Sequence, residues 1–282
     1  MKKVLTVSFV SLFITWVFAL NIVTTINPYY LIVKQIVGEK ATVSVLIKPG
    51  SDPHTFNPTI SDVKALSNAD LIVANGLGLD NAYLKNYKKV LFVGEKIPSR
   101  YLVELEEEHE HEEGTYNPHV WLSIDFLTDY IIPAIRDELV RMDKQNAKVY
   151  DKNASVIIDS LKEVSKKIDQ LLKDKKGSVV ILEHPSYVYL FKKYGIQVLA
   201  LQEGHGKEPS AGHLKNIIEQ AKRSNLIGVF VGPQFKTESI KVVSNELKRQ
   251  YKILDPLGSK AKTITELFEN AYNSIREAVY GK

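Results

Sequence analysis

The chain has 282 residues, with 37 Lys and Arg against 33 Asp and Glu, a formal net charge of +4 and no cysteine. The missing thiols exclude disulfides and thiolate metal sites, and so small an excess of basic groups argues against nucleic acid as a partner. Met1-Lys2-Lys3 followed by an uncharged apolar run from Val4 to Leu20 has the layout of a secretory signal, which predicts a signal peptide over 1–19 with cleavage after Ala19. An uncleaved anchor is the alternative, since the run reaches the lower limit of the roughly 17–25 residues that span a bilayer. Without cysteine the processed N-terminus cannot carry a lipoprotein anchor. The expectation is therefore a soluble protein, free in a periplasm-like compartment, of one large domain or two lobes.

In chain order, Asn21–Thr25 reads as a strand, Pro28–Ile36 as a helix stopped by Gly38, and Lys40–Ile47 as a second strand. Pro49-Gly50-Ser51-Asp52-Pro53 is turn chemistry, after which Thr59 or Ser61 caps a helix ending near Asn68. Leu71–Ala74 and Val90–Val93 are buried-strand runs separated by the break Asn75–Gly78. From Ala147 to Asp174 apolar residues recur with a helical period at Tyr150, Ala154, Ile157, Ile158, Leu161, Val164, Ile168, Leu171 and Leu172. A helix of that length is roughly 40 Å long and reads as a rigid connector. A second alternation follows, with strands at Ser178–Leu182, Gln197–Leu201, Leu226–Val231 and Lys252–Leu254 and helices at Tyr187–Tyr194, Ala211–Ser224, Glu238–Gln250 and Ile264–Ala278. Strands alternating with helices predict α/β lobes with parallel sheets, covering 20–142 and 178–282, joined by the segment 143–177. No residue-level repeat relates the halves, so any pseudo-symmetry is architectural.

Three histidines lie beside prolines just beyond strands or in loops: Asp52-Pro53-His54, Asn117-Pro118-His119 and Glu183-His184-Pro185. Ligands in open α/β sheets bind at the carboxyl ends of strands, and a flanking proline restricts the backbone before a ligand arrives. Asp255, between the strand Lys252–Leu254 and Pro256, is a fourth candidate whose other reading is a turn residue. Three imidazoles and one carboxylate suit zinc, whereas manganese draws more oxygen ligands. The tract Glu106–Glu113 carries His109 and His111 among glutamates; it is a solvated loop, an accessory collector of cations, or both. His205, between Gly204 and Gly206, is a weaker candidate for a pocket or gate, and His213, near a helix start capped by Ser210, weaker still. Phe56, Trp121, Tyr187, Tyr189 and Phe235 are expected to pack the core or the pocket wall.

These residues resemble the zinc and manganese substrate-binding proteins of ABC importers over nearly the full mature length. The likeness is carried by Asp52-Pro53-His54-Thr55-Phe56 with Pro58, by Asn117-Pro118-His119-Val120-Trp121-Leu122 and by His184 with Tyr187, Tyr189 and Tyr194-Gly195. Glu208-Pro209-Ser210 and Leu254-Asp255-Pro256-Leu257 complete it. The resemblance implies two α/β lobes joined by a long helix and a metal held between them. His54 and His119 would then be ligands from the first lobe, and His184 and Asp255 from the second. Histidine at 184, where manganese members tend to carry glutamate, and the acidic histidine tract both point to Zn2+ rather than Mn2+. Zinc-branch members vary in the fourth ligand, so water is the alternative to Asp255. Pro185-Ser186 departs from the small or acidic residues expected after the third histidine. The implied partner is a membrane permease, with the chain acting as a monomer. A zinc hydrolase is disfavoured, because neither HExxH nor Gly-x-Ser-x-Gly occurs. A siderophore or tetrapyrrole carrier would share the fold but would not need converging imidazoles.

Overall fold

In the computed structural model, which describes residues 19–105, 116–202 and 208–281, the chain builds two parallel sheets. β1 (Leu20–Thr24), β2 (Ala41–Val45), β3 (Leu71–Ala74) and β4 (Val90–Phe92) assemble in the order β2-β1-β3-β4. β5 (Val179–Leu182), β6 (Gln197–Ala200), β7 (Leu226–Val231) and β8 (Lys252–Ile253) assemble as β6-β5-β7-β8. Every pairing is parallel, and the two orders become identical when strands are counted within their own half. Each sheet reverses its winding between its two central strands. The crevices at the carboxyl ends of β1 with β3 and of β5 with β7 are the places where such folds bind ligands.

The helices of the first half are α1 (Asn27–Val37), α2 (Ile60–Asn68), α3 (Asn81–Leu84), α4 (Ile124–Phe126) and α5 (Ile132–Met142). Thr59 caps α2 in a reciprocal box with Asp62, satisfying two end donors that would otherwise lack partners. Between α4 and α5 the turns widen into a π-helical segment, Leu127–Ile131. Pro133 lies in the first turn of α5 and has no N–H to continue a regular ladder. The sequence reading places no element between Val93 and Ala147; the wider turn before Pro133 lets the chain stay helical there.

α6 (Ala147–Leu172) is the long helix. Its apolar face, including Tyr150, Ile157, Leu161, Val164 and Ile168, is buried against α1 and α5 on one side and α10 (Ile264–Tyr280) of the second half on the other. Consequently one apolar cluster runs through both halves, from Ile22 and Ile72 to Phe230 and Phe268. Three further helices, α7 (Val188–Lys193), α8 (Ala211–Lys222) and α9 (Glu238–Leu247), flank the second sheet. Along β5, Val180 and Leu182 join the large cluster, while Val179 and Ile181 face a smaller one beneath α8 and α9; this is the two-residue alternation of a strand covered on both faces. Among the described residues no helix is long and apolar enough to cross a membrane.

α9 ends three residues before the predicted Gln250, because Lys248 enters the left-handed region with φ of 52°. Side chains with a Cβ are strained there and glycine is not. Lys248→Gly is expected to raise stability by about 0.5–1 kcal/mol, read as a higher midpoint in urea with an unchanged slope. A lower midpoint would mean that the lysine side chain contributes more than its backbone costs.

Candidate metal centre

His54 is presented by a single 3-10 turn, Pro53–Thr55, that follows the bends and turn beyond β2. The Asp52 carboxylate caps that turn by accepting the His54 N–H at 3.0 Å, and buried Pro53 fixes the entry angle. His119 is 3% exposed and precedes the 3-10 turn Val120–Leu122. Its main-chain N–H donates to Asn117 Oδ1 at 3.0 Å, and its ring Nδ1 meets the same oxygen at 2.9 Å. An oxygen already accepting a main-chain N–H is an acceptor, so Nδ1 carries the proton of the neutral ring and Nε2 presents its lone pair to the other two imidazoles.

Behind this loop, Asn75 Nδ2 donates to Pro118 O at 3.0 Å, and Asn75 Oδ1 accepts from the Tyr29 hydroxyl. Buried Asp80 accepts from the N–H groups of Asn75 and Gly76 and from the Thr25 hydroxyl. Burial nevertheless pushes its carboxyl above the usual range. The His119 loop thus rests on a satisfied polar network, which holds a unique geometry better than apolar packing alone.

His184 lies two residues past the end of β5 and is 5% exposed. Its Nδ1 lies 2.9 Å from Gln202 Oε1, and its ring packs against Phe235 at 5.2 Å between centroids. The three rings converge. His54 Nε2 and His184 Nε2 each lie 3.1 Å from His119 Nε2, and among the described residues these histidines form the one group of side chains able to share a metal ion. Imidazoles bound tetrahedrally at about 2.0–2.1 Å place their nitrogens about 3.3 Å apart. The observed spacing is within about 0.2 Å of that, the tolerance expected of a metal site.

Asp255 is not in the group. Its carboxylate accepts the N–H groups of Leu257 at 3.0 Å, Gly258 at 3.1 Å and Ser259 at 2.7 Å, as well as the Ser259 hydroxyl. In the structure it is the pivot of the turn that follows β8, the other reading of Leu254-Asp255-Pro256-Leu257. Tyr187, fully buried, donates its hydroxyl to Asp255 O at 2.8 Å. His213 Nε2 lies 2.9 Å from Ala200 O, which gives it a structural contact on α8. His109, His111 and His205 lie outside the described residues.

A carboxyl that the sequence reading passed over, Glu183, is 4% exposed beside His184. Burial, then the charges of Glu208 and Glu238, push it up to about 7. It lines a small cavity together with His184, Gly232 and Phe235. Asn117 and Gln202 were also passed over. Gln202 could have been found from strand register, because β5 and β6 pair Leu182 with Ala200, which carries His184 and Gln202 to the same level two residues on.

The family described as zinc-uptake complex component A, periplasmic, matches residues 22–278. The chain belongs to this family. Its members are metal-binding components of uptake systems rather than enzymes. A putative metal-binding protein of Thermotoga maritima is 37% identical over 264 residues, covering 93% of this chain and 94% of that protein. The zinc-binding lipoprotein AdcA of Streptococcus pneumoniae is 29% identical over 271 residues, 92% of this chain but 54% of that protein, so the chain spans about half its length. The manganese-binding lipoprotein MntA of Halalkalibacterium halodurans is 30% identical over 234 residues, 80% of this chain and 75% of that protein. A crystal structure of ZnuA aligns with a TM-score of 0.80 at 28% identity, covering 93% of this chain and 98% of that one. Family and fold therefore agree on a metal-binding protein.

Proposed function

We propose that this chain captures zinc outside the cytoplasmic membrane and delivers it to the permease of an ABC importer, with His54, His119 and His184 as ligands and a solvent molecule in the fourth position. The observation that carries the reading is the donor set: three Nε2 atoms converge and, among the described residues, no carboxylate joins them. A set of nitrogen donors suits zinc, whereas manganese favours carboxylate and water oxygens. Manganese is the second reading, supported by the likeness to a manganese-named relative. In this proposal residues 1–19 are the export signal and the protein acts as a monomer. His109 and His111 would serve as a weak outer collector.

Competitive titration of the metal-free protein tests the metal. Zinc is expected to displace manganese at equal concentrations and to bind one per chain, whereas tight manganese binding that zinc cannot displace would move the chain to the second reading. Because only a neutral imidazole binds metal, protons compete with the ion, and affinity is expected to fall steeply below about pH 6.5. A flat affinity from neutral pH down to about pH 5 would count against a histidine cage.

A further inference from the structure

Asn117 holds a ligand from one half of the molecule and touches the ligand loop of the other. It is 2% exposed, and each of its polar groups is engaged. Its N–H donates to Val103 O at 2.7 Å, and its carbonyl oxygen accepts from the Tyr189 hydroxyl at 2.7 Å. Oδ1 accepts from the His119 N–H and Nδ1–H, while Nδ2 donates to Pro185 O at 3.0 Å. The main-chain partners at either end, a donor and an acceptor, leave only one orientation of this amide. Pro185 immediately follows His184, and Tyr189 lies on α7 of the second half.

We infer that Asn117 couples metal capture to the apposition of the two halves, by holding His119 in the Nδ1–H tautomer with one end of its amide and the His184 loop with the other. The inference rests on the three-histidine reading. If the halves separate, Nδ2 loses Pro185 O, the Asn117 carbonyl loses Tyr189, and His119 loses its fixed distance to His184 in the same step. An ion on the three imidazoles opposes that separation. Binding and closure therefore share one free energy, and whatever weakens the Asn117 link speeds metal release. Outer partners of metal-binding histidines contribute about ten- to a hundredfold to affinity; for Asn117 part of that effect should come through the second half.

Two variants separate the ends of the amide. Asn117→Asp keeps an acceptor for His119 but sets an oxygen against Pro185 O. Tyr189→Phe removes the second link across the halves and touches no imidazole. Because the chain has no cysteine, label pairs can be placed at exposed Lys64 and Lys241 after changing each to cysteine. Zinc dissociation into excess chelator and the distance between labels are then measured in each variant, with His119→Ala as the control. Expected are zinc release faster by about tenfold or more in Asn117→Asp, a smaller acceleration in Tyr189→Phe, and a broader label distance in both. A purely structural role would lower the melting temperature of the metal-free protein without changing release or distance selectively, and that result would overturn the coupling. Should Asn117→Asp fail to fold, Tyr189→Phe decides alone, and unchanged release from it overturns the coupling. If His119→Ala loses zinc while both variants release it at the wild-type rate, the coupling fails and the ligand reading stands. If His119→Ala keeps tight zinc, the ligand reading itself fails.

Discussion

His119→Ala is expected to abolish tight zinc binding and, with it, the stabilisation that zinc confers. The three ring centroids lie 4.9–5.0 Å from one another, and His119 Nε2 is 3.1 Å from Nε2 of each of the others; removing it leaves only two of the three imidazoles. The affinity loss should exceed the roughly ten- to hundredfold that an outer partner supplies. At a zinc concentration about a hundred times its dissociation constant, the wild type gains about 2.7 kcal/mol of folding stability by mass action. The variant should gain almost none of it. Its metal-free form also loses the contact between the His119 and Trp121 rings, 5.0 Å apart, so its own melting temperature should fall modestly. The decisive comparison is the difference between melting temperatures with and without zinc, measured in each protein. An undiminished zinc-dependent rise in the variant would show that the ion is held elsewhere.

The parts of this architecture set by local chemistry could be read from the chain alone. The period of Tyr150, Ile157, Leu161, Val164 and Ile168 makes α6 legible, because one apolar face must find cover whatever the partner is. Leu71–Ala74 and Val179–Leu182 are legible for a similar reason: they are buried on both faces and contain no residue that suits solvent. The three proline-flanked histidines stand out because a proline beside a histidine in a loop is itself a local property. Properties set by distant partners were not legible. Asn117 is one more polar loop residue until Pro185 and Tyr189 are seen beside it. The helix 132–142 carries Pro133 in its first turn, behind a widened turn that no local signal announces. Asp255 exposes the limit most clearly, since a carboxylate just past a strand and ahead of a proline has the same sequence whether it faces a cleft or folds into its own turn.

For that reason Asp255→Ala should separate the two roles cleanly. In the structure the carboxylate satisfies the main-chain N–H groups of Leu257, Gly258 and Ser259 together with the Ser259 hydroxyl. The turn it shapes presents Leu257 O and Gly258 O to Asn27 Nδ2 and Pro256 O to the Trp121 indole N–H at 2.8 Å. Leaving several of these donors unpaired in a half-buried turn is expected to cost the metal-free protein about 2–4 kcal/mol, most of it visible in urea unfolding. Zinc affinity should fall by no more than about tenfold, the low end of what an outer partner supplies, through loosening of the contact between the halves. A ligand would show the reverse pattern, with a large loss of affinity and little change in the metal-free stability. To become a ligand through Oδ1, Asp255 would have to release the N–H groups of Leu257 and Gly258, and through Oδ2 the Ser259 N–H and hydroxyl; each unpaired donor costs about 1–3 kcal/mol when buried. Bond formation to the ion would have to offset that entire sum before it contributed to affinity, which is why the turn role is expected to persist when zinc binds.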